Sequence, residues 1–240
     1  MRHGPPDRID DVLFESCVEA FEAAVASAAG GAGRIELCAN LEVGGTTPAP
    51  ALVERCVAAL DIPVFAMVRP PGGSFVYARD EADAMARDVR AMAMAGAHGV
   101  VFGALTREAA IDVALMQRLV DLARPLPVTC HKAIDVARDL PEALDALLAL
   151  GVPRVLTSGG APTAADGAAM IARLVRQAGD GLVVMAGGAV RADNVAALVR
   201  ATGVREVHAR LLRAPQTEPD TGRETIAAFV RALAPKTSHE

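Results

Sequence analysis

Between residues 12 and 233 the sequence repeats one pattern eight times: a short apolar, β-branched run, a turn rich in glycine or proline, then a longer alanine-rich amphipathic stretch. Period-2 runs predict strands at 12–17, 34–38, 64–69, 100–103, 128–132, 154–157, 182–186 and 206–208. Helices fill the intervals, the first at 19–29 and the last at 224–233. Asp80, the pair Asp139 and Glu142, the pair Thr163 and Asp166, and Asp193 are the predicted N-terminal caps. Eight strand-helix units in about 220 residues fit an α/β fold, the single-domain (β/α)8 TIM barrel, whose usual length is about 250 residues. A doubly wound open sheet typically uses fewer strands. No linker, low-complexity tract or charge block divides the chain, so the expectation is one barrel domain at 12–234, a polar leader at 1–11 and a frayed tail at 235–240.

In such a barrel the site is assembled from residues at the C-terminal strand ends, which lets candidates be gathered from the whole chain. They are Glu15, Cys17, Glu36, Cys38, Arg69, His131, Asp135, Ser158 and His208, with glycine turns at Gly44-Gly45, Gly72-Gly73, Gly159-Gly160 and Gly187-Gly188. Alternation along the second strand puts Ile35 and Leu37 on one face and Arg34, Glu36 and Cys38 on the other. The first strand repeats that Glu-x-Cys arrangement with Glu15 and Cys17, so neighbouring strands are expected to present matching pairs. Two thiols on adjacent strands, about 4.8 Å apart, suit a soft two-coordinate ion such as Cu(I); they equally suit plain packing. Glu15 and Glu36 fit acid-base work, and they also fit buried ion pairs with Arg34 or Arg69. Asp135 follows closely enough to orient His131. Arg69, Ser158, Gly187, Gly188 and His208 form the candidate anion or substrate contacts, Gly187-Gly188 lying where barrels commonly hold phosphate. Cys56 and Cys130 read as packing residues.

Composition narrows the partners. Net charge is −5 and only 3% of residues are aromatic, with no Trp, so neither a basic footprint nor a stacking platform for nucleic acid is present. No apolar run is long enough for a bilayer, and the leader lacks an apolar core, from which a cytoplasmic location is expected. Four cysteines in such a chain should remain reduced.

Taken together, Arg34-Ile-Glu-Leu-Cys38, Gly44-Gly-Thr-Thr-Pro48, Val68-Arg-Pro70 with Gly72, Gly73 and Phe75, Val128-Thr-Cys-His-Lys-Ala-Ile-Asp135, Arg154-Val-Leu-Thr-Ser-Gly159, Met185-Ala-Gly-Gly188 and Glu206-Val-His208 resemble the copper homeostasis protein CutC family. The resemblance runs from the first strand to the eighth. It implies a TIM barrel, a cytoplasmic homo-oligomer, a link to copper, and Cys17 and Cys38 as the family's proposed Cu(I) ligands. The chain departs from the family pattern at Pro71, Ser74, Lys132, Ala209 and Arg210, which changes the charge expected around an anion site. Two functions follow: a Cu(I)-binding copper homeostasis protein using the thiol pair, or a barrel enzyme acting on a small anionic metabolite with Glu and His acid-base chemistry.

Overall fold

The computed structural model describes residues 12–71, 73–212 and 219–233. Its sheet is a closed barrel in which every strand pairs in parallel with the next, and β8 returns to β1. The strands are β1 Leu13–Val18, β2 Arg34–Leu37, β3 Val64–Met67, β4 Gly99–Phe102, β5 Val128–Cys130, β6 Arg154–Thr157, β7 Val183–Gly187 and β8 Glu206–Ala209. Between and after them run α1 Phe21–Ala29, α2 Pro50–Ala59, α3 Arg79–Met94, α4 Val113–Ala123, α5 Leu140–Ala149, α6 Ala168–Ala178, α7 Val195–Thr202 and α8 Pro219–Leu233. The expected (β/α)8 fold is the one observed. The termini called leader and tail, 1–11 and 235–240, lie outside the described residues.

Boundaries shift where local chemistry outbids periodicity. The predicted fifth strand ends at Cys130, because His131 Nδ1 accepts the Ala133 N–H and winds Lys132–Val136 into a 3₁₀ turn. Helix α3 starts at Arg79, where Glu81 rather than Asp80 caps it by accepting the Ala78 N–H at 2.8 Å. Asp139 caps α5 as expected, accepting from the Glu142 N–H at 2.9 Å. Thr163 and Asp166 bond to each other in a turn ahead of α6, and Asn194 rather than Asp193 stands at the start of α7. The last helix begins at Pro219, earlier than periodicity alone indicated.

The alternation of the strands splits the interior into two unlike parts. Outward residues such as Ile35, Leu37, Val100, Phe102, Val155 and Val207 join the helices in one continuous apolar layer, and Cys56 and Cys130 belong to it as packing residues. Inward residues form a small separate cluster of Cys17, Cys38, Phe65, Met67 and Val101, roofed by Leu41. Glycine makes the inner space workable at two points. A Cβ at Gly99 would lie 2.5 Å from the Phe65 ring, and one at Gly103 would lie 2.8 Å from His131 Nδ1.

Candidate functional site

The inner face of β1, β2 and β8 carries a buried chain of ionisable groups. Arg34 donates from Nε to Glu15 Oε2 at 2.5 Å and from Nη2 to Glu206. Arg154 grips Glu206 with two bonds, Nε to Oε2 at 2.6 Å and Nη2 to Oε1 at 3.1 Å. The Phe65 ring floors both guanidinium groups, at 5.1 Å from Arg34 and 5.4 Å from Arg154. These ions are removed from water, and they persist because each opposite charge is hydrogen-bonded in good geometry. Of the two partners expected for Glu15, Arg34 is the one observed, and Glu206 and Arg154 extend the network beyond it. Their signal was available, since each is a charged residue opening an otherwise apolar strand, as Arg34 is.

Above this network His208 lies between the two lumenal carboxylates. Its Nδ1 is 2.8 Å from Glu15 Oε1, and its Nε2 is 3.8 Å from Glu36 Oε2. Burial works against the imidazolium, but the Glu36 charge, then hydrogen bonds to Cys17 and Glu15, push the His208 pKa well above its ordinary value. Burial likewise pushes Glu15 up, yet the His208 hydrogen bond and the Arg34 and His208 charges outweigh it and hold Glu15 down at about 2. Glu36 goes the other way. Burial raises its pKa, His208 offsets only part of that, and the Glu15 charge adds to it. Its Oε1 is buried with no partner among the described residues. The two neighbouring carboxyls are thus pushed in opposite directions, as expected when like charges share a low-dielectric site.

The thiols stand next to Glu36. Across the β1–β2 ladder Cys17 pairs with Glu36, so the two Glu-x-Cys motifs are staggered by two residues rather than matched side by side. Closing a barrel requires tilted strands and a shifted register, and a repeat in sequence therefore does not become a rung in space. The stagger nonetheless brings one donor atom each from Cys17, Glu36 and Cys38 within 4.8 Å of one another, and the same holds for Glu15, Glu36 and His208. Cys38 Sγ donates to Glu36 Oε2 at 3.5 Å. Both thiols are buried, and both are held protonated: Cys17 by its hydrogen bond to Cys38 and by burial, Cys38 by burial and the Glu36 charge, which overcome the Cys17 contact and push it to about 11.

A loop closes over them. After β2, Asn40, Gly44 and Gly45 adopt positive φ, and Ala39 bridges to Thr46, folding Leu41 onto the thiol cluster. Gly45 holds a φ of +86°, which favours glycine, and a Cβ there would crowd Cys38 Sγ at 3.3 Å. Three groups fasten it: the Leu41 N–H donates to Glu19 Oε2 at 2.8 Å, Arg210 Nη1 donates to the Leu41 carbonyl at 2.9 Å, and Arg210 reaches Glu19 at 3.5 Å. The charge that Arg210 brings is spent on this fastening.

The remaining candidates separate into two groups. Arg69 donates from Nη1 to the Gly45 carbonyl at 2.9 Å and to Val43 O at 3.3 Å, and its guanidinium lies 5.0 Å from the Phe75 ring. His131 also packs on Phe75, with ring centroids 5.0 Å apart. Asp135, in contrast, does not touch His131. It accepts from Lys132 Nζ at 2.5 Å, Thr157 Oγ1 at 2.5 Å, Ser158 at its amide and hydroxyl, and the Gly160 amide. Asp135 and Ser158 therefore knit the β5 and β6 ends together. The Gly187-Gly188 turn faces this side as well: a Cβ on Gly188 would meet Ser158 Cβ at 3.0 Å, while Gly187 gives way to Leu156 and His208. Arg69 thus borders the loop after β2 and Phe75, while the β7 glycines border Ser158, Leu156 and His208.

A closed parallel barrel whose mouth holds a thiol pair, a carboxyl and a histidine under a glycine-hinged loop defines a class: single-domain (β/α)8 proteins with a mixed sulfur and oxygen donor set in the lumen. Residues 12–212 match the model of the CutC family, and the chain belongs to that family. A copper homeostasis protein cutC homolog of Mus musculus is 45% identical over 196 residues, covering 82% of this chain and 72% of its own. A CutC family protein of Caulobacter vibrioides is 46% identical over 197 residues, covering 82% and 80%. Among solved structures, a CutC protein of Streptococcus agalactiae superposes with a TM-score of 0.78 at 32% identity, covering 82% of this chain and 97% of that one. A phosphoribosylanthranilate isomerase of Pyrococcus furiosus, TM-score 0.60 at 13% identity, shares the fold alone.

Proposed function

We propose that this protein serves copper homeostasis by binding Cu(I) through Cys17 and Cys38. The observation that carries the reading is the donor set itself: two buried thiols and one carboxyl whose ligand atoms lie within 4.8 Å of each other, in an otherwise apolar cluster. Soft thiolates select Cu(I), and the apolar roof of Leu41, Met67 and Val101 keeps water from competing. Relatives that carry copper homeostasis in their names support the same reading. Glu36, whose Oε2 already accepts the Cys38 S–H, is the nearest group to receive a proton when a thiol is deprotonated by the incoming ion. The reading requires reduced thiols and hence the cytoplasm, and it includes self-association into a homo-oligomer, which light scattering checks. Among the described residues no helix is long and apolar enough to cross a membrane.

Anaerobic competition with a Cu(I) chelator is the test. Wild type and Cys56→Ser should bind alike, whereas Cys17→Ser/Cys38→Ser should lose binding. Equal affinity for wild type and the double variant would reject the reading.

A further inference from the structure

The copper site leaves unused a set of hydrogen-bond donors at the ends of β3 and β5. His131 is 4% exposed, and the Ala133 N–H donates to its Nδ1 at 3.2 Å. That bond makes Nδ1 the acceptor, so in the neutral ring the proton sits on Nε2. Nε2 is buried and has no partner among the described residues. The ring stays neutral, because burial and the Arg69 charge push its pKa down to about 3. A proton shuttle at this position, the role its sequence context implied, is therefore disfavoured; a permanent N–H donor remains.

Tyr77 repeats the situation. Its hydroxyl is buried beside Arg69, a group that can only donate to it, so the O–H proton has no acceptor among the described residues; burial pushes its pKa up to about 12 against the pull of Arg69, and it too keeps its proton. Phe75 supplies an apolar wall that both Arg69 and His131 contact. A buried donor left unsatisfied costs roughly 1–3 kcal/mol, and two of them beside one guanidinium are not expected unless something accepts from them. Water is the poorer fit, since a water accepting from both donors would still have to place its own hydrogens near the Arg69 cation. An oxygen that accepts without having to donate fits better, and the neighbouring positive charge favours a negative one.

We propose that His131 Nε2–H and Tyr77 O–H, beside Arg69 and against the face of Phe75, bind a carboxylate oxygen of a small metabolite. The site is separate from the thiol pair, so it goes beyond the copper reading and survives that reading's failure. The neutral imidazole here polarises an acceptor oxygen rather than removing a proton.

Pyruvate and inorganic phosphate are the probes, titrated separately into the reduced full-length protein labelled with 15N at histidine, with His131→Gln used to assign the His131 resonances. Pyruvate should shift the His131 Nε2 signal saturably while the ring keeps its neutral Nε2–H form. Calorimetry should show Tyr77→Phe, which deletes one hydroxyl on a loop and leaves the barrel intact, weakening pyruvate about tenfold. Cys17→Ser/Cys38→Ser should bind pyruvate as wild type does. Absence of any shift at probe concentrations well above about 1 mM, or equal binding by wild type and Tyr77→Phe, would overturn the proposal and leave ordered water as the occupant. A response to phosphate without one to pyruvate would overturn the carboxylate assignment.

Discussion

Cys17 stands opposite Glu36, not Cys38, across the β1–β2 ladder, and this one register makes the carboxyl part of the thiol site. A matched register would have left two sulfurs facing each other with the acids on a separate level. The staggered one interleaves sulfur and oxygen donors and ties the thiols electrostatically to His208 and Glu15 through Glu36. Four consequences can be measured.

Copper affinity should be steeply pH-dependent. Cys38 is pushed to about 11 and Cys17 well above its ordinary value, so both are protonated through the neutral range and must lose protons to bind. Each displaced proton makes the apparent affinity rise about tenfold per pH unit, and two make it about a hundredfold. Chelator competition between about pH 6 and 8, corrected for the chelator's own protonation, reads the slope; a flat profile would mean that the thiols are not the ligands.

Removing Glu206 should destabilise the barrel by about 3–5 kcal/mol, because Arg34 and Arg154 would be left buried without their shared carboxylate. Urea unfolding of Glu206→Ala gives the value. Arg138→Ala, which breaks only the exposed pair with Glu142, should cost about 0.5 kcal/mol or less, and similar losses for the two variants would show that the lumenal network carries no special weight.

The two lumenal glutamates should act on stability with opposite sign. Glu15 titrates below its ordinary 4.5 in the folded chain, so its contribution is full above 4.5 and is lost as pH falls through about 2. Glu36 titrates above 4.5, so ionisation opposes folding as pH rises past that value. Glu36→Gln should accordingly raise the melting temperature at pH 7, and the gain should shrink as the pH approaches 4.5. Glu15→Gln should lower it at pH 7. A Glu36→Gln variant that melts earlier than wild type at pH 7 would contradict the raised pKa.

Arg210→Ala should loosen the loop over the thiols. It removes the bond to the Leu41 carbonyl and the contact with Glu19, together about 1–2 kcal/mol of local closure. Maleimide labelling of Cys17 and Cys38, read by peptide mapping, should speed up about tenfold, while Cys56 and Cys130, packed under the helices, should be unchanged. Uniform acceleration at all four cysteines would indicate global unfolding rather than opening of the loop.

The strand-helix rhythm, the closed barrel and the inward face of Glu15, Cys17, Glu36 and Cys38 were legible in the sequence because they depend on local periodicity, which hydrophobic alternation writes directly into the chain. The outward, packing character of Cys56 and Cys130 was legible for the same reason. What tertiary structure alone decided was partnership. Asp135 lies four residues from His131, yet it binds Lys132, Thr157 and Ser158, because the 3₁₀ turn between them rotates it toward β6. Glu206 is 172 positions from Arg34 and becomes its ion partner only when β8 closes on β1. The stagger of Cys17 against Glu36 likewise follows from the tilt that closure imposes on every strand, a property of the whole barrel that no single segment encodes.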